Sequence, residues 1–404
     1  MIPKILVIPS WYPTANSPVA GSFCREQSEL IADRFDVRIL YPTLRLLSKK
    51  DTLIGFRKPA SAHTDDSLLG NIPGVLLEAR TSTFLPEEKR ITFLITQCAA
   101  HLRRMIAAGW KPDILHAHGT IYGGIVAAAL GRTFGIRNII TEHHSLLVAD
   151  FNAVRWNLYR SALESSDLVL AVSNELKKMI LMNGIRCNIA VTGNLLNEEL
   201  FTFRSRSSES SVFHVLFIGV PARTKDVPTF IRALQRLKRS GGGEFKATFV
   251  IPDVKADLTR DEIMEMCREE GIAENCVFLG SVPHEHMPEI IHSCDALVST
   301  SVTETFGLSV AEALISGIPV IATRSGGVED FVNNKNGLLV DIGDSEAIAA
   351  GLRELMDGSF GIDARAVREE IVGRFGKKAF AHRICDIYNK LIHDKRHQVF
   401  SPPA

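Results

Sequence analysis

Short apolar runs rich in β-branched residues recur along the chain, each followed by a stretch with helically spaced apolar positions. Residues 4–9 open the series, and 36–42, 113–117, 137–141 and 167–172 continue it. Helical patterns lie near 20–33, 90–108, 122–134 and 174–183. A strand that is apolar at nearly every position has no polar face to turn toward water. Its alternation with helices predicts a parallel sheet covered on both faces. The rhythm breaks in a serine-rich stretch, and 201–212 reads as an interdomain linker. It restarts with a strand at 215–219, a helix at 227–239 and strands near 246–251, 276–279, 296–300 and 318–322. Helices at 345–356, 364–373 and 378–393 close the chain. The expected fold is α/β, with doubly wound domains over 1–200 and 213–377. The segment 378–404 is expected to carry a helix long enough to cross back onto the first domain.

Composition narrows the function. Lys plus Arg and Asp plus Glu are both 46 in 404 residues, which argues against a dedicated nucleic-acid binder. A chain that is 46% hydrophobic with no net charge is not mainly disordered. No apolar run reaches the roughly 18 residues of a membrane span, and the opening residues do not read as a signal peptide. Seven scattered cysteines without a C-x-x-C read as reduced thiols of a cytoplasmic protein. Residues 1–200 hold 22 cations against 18 anions, and residues 201–404 hold 24 against 28. That asymmetry suggests domains with different partners.

The densest chemistry lies at 299–317. A strand ends near Thr300, Glu304 follows in a loop, and a helix starts near Gly307. Free amides at a helix start form a site for phosphate, and ligands bind outside the carboxyl ends of strands in open α/β sheets. Glu312 lies further along the helix. Carboxylates repel phosphate, so both would seek hydroxyls, such as a ribose and a sugar flanking a diphosphate. The same spacing also fits a helix cap at Glu304 and a solvated Glu312. Ser325 to Val328 offers a second anion nest or a plain turn. Lys225 is positioned to meet phosphate as a point charge or to stand in solvent. In the first half, Trp11, Tyr12 and Gly21 follow the first strand, and His116, His118, His143 and His144 cluster at two later strand ends. Metal binding, sugar hydrogen bonding, acid/base work and structural packing all remain open for them.

Taken together, these residues resemble the retaining glycosyltransferases of family 4. The stretches that carry the resemblance are Pro9 to Pro13 with Gly21 and Gln27, His116 to Gly119, Thr141 to His143, Ala171 to Ser173, and Asn194. The most specific is the E-x(7)-E signature from Glu304 to Glu312, with Phe306, Gly307 and Leu308 inside it. The resemblance implies the GT-B fold, two doubly wound Rossmann-like domains with a cleft between them. The first would bind the acceptor and the second a nucleotide-diphosphate sugar, with UDP-sugar favoured. It implies that Glu312 binds the ribose, and that Glu304, Phe306, Gly307 and Leu308 face donor sugar and phosphates. Lys225 would neutralise the diphosphate, His143 would stand near the reacting carbon, and Gly21 would approach donor and acceptor. Trp11, Tyr12, His116 and His118 are the acceptor candidates. No D-x-D triplet occurs, so neither metal nor cofactor is implied.

The family's usual Gly-Arg is Gly219 and Val220 here, with Arg223 nearby as a substitute. Its Gly-Asp-Gly-Pro turn is Ile251 to Val254, and Asn194 is followed by Leu195. The expected activity moves a sugar to a saccharide or lipid-linked acceptor, as in lipopolysaccharide, O-antigen or capsule synthesis. A nucleotide-sugar epimerase of the same fold and a non-catalytic partner subunit are the alternatives. Lys89, Arg90, Arg103 and Arg104 flank the apolar face of a helix within 85–109. They suggest peripheral contact with the inner face of the cytoplasmic membrane, or merely the solvated ends of a sheet-covering helix.

Overall fold

In the computed structural model, which describes residues 2–47, 60–145, 151–204, 212–241, 243–254 and 256–393, the apolar runs become the central strands of two sheets. β1 (Lys4–Pro9) is buried from Ile5 onward. β2 (Asp36–Leu46) pairs with it on one side and β5 (Ile114–His118) on the other, both parallel. With β3 (Ala60–Asp65), β4 (Gly74–Thr81), β6 (Arg137–Glu142), β7 (Leu168–Ala171) and β8 (Ile189–Val191), the order is β3-β4-β2-β1-β5-β6-β7-β8. Among the described strands of this sheet, only β3 runs antiparallel to its neighbour. The second sheet comprises β9 (Phe213–Ile218), β10 (Phe245–Val250), β11 (Cys276–Leu279), β12 (Ala296–Ser299), β13 (Val320–Thr323) and β14 (Gly337–Val340). Its order is β11-β10-β9-β12-β13-β14, all parallel. In both sheets the strand order reverses beside the first strand, between β1 and β5 and between β9 and β12. The crevice for a ligand opens at such a switch point.

The chain divides into two compact units, residues 1–195 with the stretch from Ala381 onward, and residues 196–380. The division falls ahead of the serine-rich stretch, of which 205–211 lie outside the described residues. The second unit's core is aromatic. Phe217 packs on Phe230 and Phe249 at ring distances of 5.2 and 6.0 Å, and Phe249 on Phe278 at 4.8 Å. In the first unit, helix Glu87–Ala107 buries Ile91, Leu94, Cys98 and Leu102 and leaves Lys89, Arg103 and Arg104 exposed. No helix among the described residues is long and apolar enough to cross a membrane.

Several elements depart from the periodicity. β3 is Ala-Ser-Ala-His-Thr-Asp, an edge strand with too few apolar residues to stand out. Helix Ala153–Glu164 has only a weak apolar stripe, and its start is fixed by Asn152, whose side chain accepts from the Arg155 amide at 2.9 Å. The helix expected from 122 begins at Ile125 instead. Before it, Tyr122 takes φ 61°, because Thr120 is tied by amide and hydroxyl to Glu142 and the chain must turn there.

The last helix, Lys377–His393, carries Tyr388 into the first unit's core, fully buried and edge-on to Phe35 at 5.2 Å. Its hydroxyl meets His116 Nδ1 at 2.5 Å. Arg383 Nη1 donates to the Thr192 carbonyl at 2.7 Å. Burial pushes the Tyr388 phenol well above its usual range, so it stays protonated and donates. Tyr388→Phe keeps the ring but leaves a buried imidazole nitrogen unpartnered. Urea denaturation is expected to read a loss of about 1–3 kcal/mol.

Candidate active site

The first unit's site residues follow the carboxyl ends of β1, β5 and β6. The Ser10 amide donates to the His118 carbonyl at 2.8 Å, and its hydroxyl to the Gly119 carbonyl at 2.9 Å. These bonds join the first loop to the end of β5. Trp11 is half-buried, with its ring stacked 6.4 Å from His144. Gly21 has φ 70°, and a Cβ there would lie 2.3 Å from the Trp11 carbonyl oxygen, so no larger residue fits. Tyr12 is only 1% exposed, and its hydroxyl has no hydrogen-bond partner among the described residues.

Glu142 organises the histidines. It is fully buried at the end of β6. Its Oε2 accepts from the Thr120 amide at 3.1 Å and from the Thr120 hydroxyl, and its Oε1 from the amides of His143 and His144 at 2.9 and 2.7 Å. A carboxylate so buried needs donors on both oxygens, and meeting them folds the chain sharply after the strand. The turn brings His143 Nε2 to 3.2 Å from His118 Nδ1, with the Phe23 ring 4.6 Å from the His143 ring. Burial, then the neighbouring His118, holds the His143 pKa well below the ordinary histidine value. Burial takes His118 down to about 4. Both imidazoles are therefore neutral at physiological pH.

His116 does not belong with the acceptor candidates. It is 2% exposed, and its two ring nitrogens bond to the hydroxyls of Tyr388 and Thr141, at 2.5 and 2.7 Å. His118 is just as buried, at 1% exposure, so the two differ in their partners, His118 meeting His143 at the strand's end. Tyr12 is similarly withdrawn from the surface, leaving Trp11 as the accessible side chain of its pair.

In the second unit, three loops are joined at the carboxyl ends of β9, β12 and β13. Thr300 Oγ1 donates to the carbonyls of Lys225 and Asp226 at 2.8 and 3.0 Å, and the Val302 amide to the Thr224 carbonyl at 2.8 Å. The Glu304 amide donates to the Ser325 carbonyl and the Gly327 amide to the Glu304 carbonyl, both at 2.8 Å. This arrangement pairs Glu304 with Lys225 Nζ, and the Ser301 hydroxyl donates to Glu304 Oε1 at 2.8 Å. Glu304 is thus not a helix cap. Gly307 has φ 90°, and no side chain among the described residues caps helix Leu308–Ile315, so its first amides are available to an anion. A Cβ at Gly307 would meet Val328 Cγ1 at 2.4 Å.

Glu312 is 8% exposed rather than solvated, and His284 Nε2 lies 2.8 Å from its Oε1. The Phe306 side chain is core, packed on Phe331 and Phe375 at 5.2 and 5.1 Å, leaving only its backbone to serve a ligand. Leu308 is half-buried at the helix start. The Arg223 side chain is 91% exposed, with Nε 4.0 Å from Asp257. Of the two readings of 325–328, the structure has the turn, since the Gly326 amide donates to Glu329 and the Gly327 amide to the Glu304 carbonyl. Among the described residues, no group of three or more His, Cys, Asp and Glu side chains is placed to hold a metal ion. Three contributors were given no role from sequence, although Glu142 lies within the Thr141 to His143 stretch of the resemblance. Glu142 acts through backbone amides, Ser301 through Glu304, and His284 sits on a short turn remote in sequence from its partner.

Residues 25–200 match the family described as Glycosyltransferase Family 4, and residues 197–371 the family described as Glycosyl transferases group 1. Glycogen synthase of Mycobacterium tuberculosis is 26% identical over 291 residues, covering 69% of this chain and 69% of its own. D-inositol 3-phosphate glycosyltransferase of Corynebacterium urealyticum is 28% identical over 332 residues, covering 74% and 77%. Sucrose-phosphate synthase from Thermosynechococcus elongatus shares the fold with a TM-score of 0.72 at 19% identity, over 96% of this chain and 99% of that one. Anabaena HepE in complex with UDP and glucose does so with a TM-score of 0.72 at 17% identity, over 96% and 99%. The two family matches meet at 197–200 and together run from residue 25 to 371, so the chain belongs to glycosyltransferase family 4, with the GT-B fold.

Proposed function

We propose that the enzyme transfers a sugar from a nucleoside-diphosphate donor, UDP-sugar first among them, to a saccharide or lipid-linked acceptor, with retention at the anomeric carbon. The observation that carries this reading is the second unit's constellation. An uncapped helix start follows the Lys225–Glu304 pair and precedes the buried carboxylate of Glu312. Cation and amides suit a diphosphate, and the carboxylates suit hydroxyls on either side of it. The second unit is accordingly the donor domain and the first the acceptor domain. UDP is the nucleotide named in the Anabaena complex, which makes it the first to test.

In this mechanism Glu312 accepts from ribose hydroxyls, and Lys225 meets the diphosphate while Glu304 orients it and faces the donor sugar. Amides of Gly307 and Leu308 complete the phosphate site. Arg223, with an exposed side chain, serves in place of the arginine absent at Val220. The leaving-group charge is met by these groups without a metal. As the bond from the anomeric carbon to the phosphate oxygen breaks, the acceptor oxygen bonds on the same face. The leaving phosphate oxygen takes the acceptor proton, through an oxocarbenium-like transition state. His143 is neutral and held by His118, so its role is to orient through hydrogen bonding, with Gly21, His118 and Trp11 shaping the acceptor side.

The place of work we propose is the inner membrane face, in surface-polysaccharide assembly. Exposed Lys89, Arg103 and Arg104 on helix Glu87–Ala107, and Phe84, 75% exposed just ahead of it, support this. Each cation near anionic lipid contributes about 1 kcal/mol at best.

Three outcomes are expected. Glu312→Ala weakens nucleoside-diphosphate binding by about 1.5–3 kcal/mol, the weight of a hydrogen bond to a charged group, as read by calorimetry on folded protein. In EDTA-containing buffer wild-type turnover persists, while Glu304→Gln and His143→Ala each lower kcat more than they weaken the nucleotide. A folded variant with full turnover would assign that residue a structural role. Co-sedimentation with anionic liposomes is lost at high salt and in Arg103→Glu/Arg104→Glu, whereas equal binding to neutral liposomes would reject electrostatic docking.

A further inference from the structure

The carboxylate of Glu312 lies on a helix whose neighbouring residues, Val310, Ala311, Ala313 and Leu314, are all buried. Left to itself there, a glutamate would turn toward water, because burying its charge without donors is costly. His284 supplies one such donor. It occupies the short turn His284–His286, just after β11, with Nε2 2.8 Å from Glu312 Oε1. The imidazole is itself backed by a firm wall. Its ring centroid is 5.2 Å from that of Phe201, which is fully buried. The Phe201 segment is fastened on both sides. Arg368 donates to the carbonyls of Phe201 and Glu198 at 2.6 and 2.7 Å, and His292 Nε2 meets the Thr202 carbonyl at 2.8 Å. The His284 side chain is 26% exposed, so the pair opens to solvent where a ligand can reach it.

We infer that His284 is a positioning residue for donor binding, holding the Glu312 carboxylate in the orientation that receives the ribose. This rests on the ribose role proposed above for Glu312. A carboxylate accepts through two oxygens with about four lone-pair sites. His284 takes one of these sites, on Oε1. Because the rotamer is set before the nucleotide arrives, less side-chain freedom is lost on binding. His284 does not touch the reacting atoms, so its effect belongs to donor affinity rather than to the chemical step.

The test uses calorimetry on the full chain with UDP, GDP and ADP, taking forward the tightest. His284→Ala is expected to weaken that nucleotide about tenfold, as for one hydrogen bond to a charged group, with kcat at saturating donor changed by less than about twofold. His284→Gln places an amide nitrogen near the position of Nε2 and restores affinity. In the Glu312→Ala background, His284→Ala causes no further loss, since the group it positions is gone. A merely structural histidine would weaken binding equally in both backgrounds, and that result, or unchanged affinity in His284→Ala alone, would overturn the inference. If instead Glu312→Ala binds the nucleotide as tightly as wild type, the ribose reading itself fails and the inference falls with it.

Discussion

A carboxylate taken out of water must be met by donors, and the site residues of this enzyme are arranged by three such demands. Glu142 is met by three backbone amides and a hydroxyl, Glu304 by Lys225 and Ser301, and Glu312 by His284. Meeting Glu142 bends the chain after β6 and delivers His143 to His118. The partners of Glu304 come from the loop after β9 and from its own loop, while its backbone bonds to the loop after β13. The donors of Glu312 include a turn remote in sequence.

Parallel pairing makes these demands possible to satisfy. Strands that run the same way end on the same edge, so loops far apart in sequence emerge side by side. β9 and β12 are separated by two intervening strands in sequence yet pair directly, which brings the Lys225 turn against the Thr300 loop. The first unit repeats the device with β1 and β5, joining Ser10 to the end of His118. An antiparallel sheet would have alternated these loops between opposite edges.

The histidines illustrate how much a shared composition conceals. His116 and His118 are two residues apart, and their rings are 4.5 Å apart. One has both nitrogens engaged by Thr141 and by Tyr388 from the C-terminal helix, while the other meets His143. No local pattern distinguishes them, because the partner that claims His116 is contributed by a residue 272 positions away. Phe306 follows the same logic. It sits inside the signature segment, but its ring completes an aromatic cluster with Phe331 and Phe375, and only its backbone is left to face a ligand.

The central strands, their parallel sense and the helix that follows Gly307 were legible from sequence, since apolar runs and helical spacing are local consequences of burial. Glu304, Lys225 and Glu312 were picked out through the family resemblance, carried chiefly by the E-x(7)-E segment, since spacing alone fitted a helix cap and solvated side chains as well. The antiparallel edge strand β3 and helix Ala153–Glu164 were not, because an edge need not be apolar and a weak stripe draws its stability from what it packs against. Which carboxylates would be paired, which partners each histidine would take, and that His284 would support Glu312 were decided only by the tertiary structure. Hydrogen bonds and desolvation depend on distance in space, and residues brought together by strand order leave no mark of that proximity along the chain.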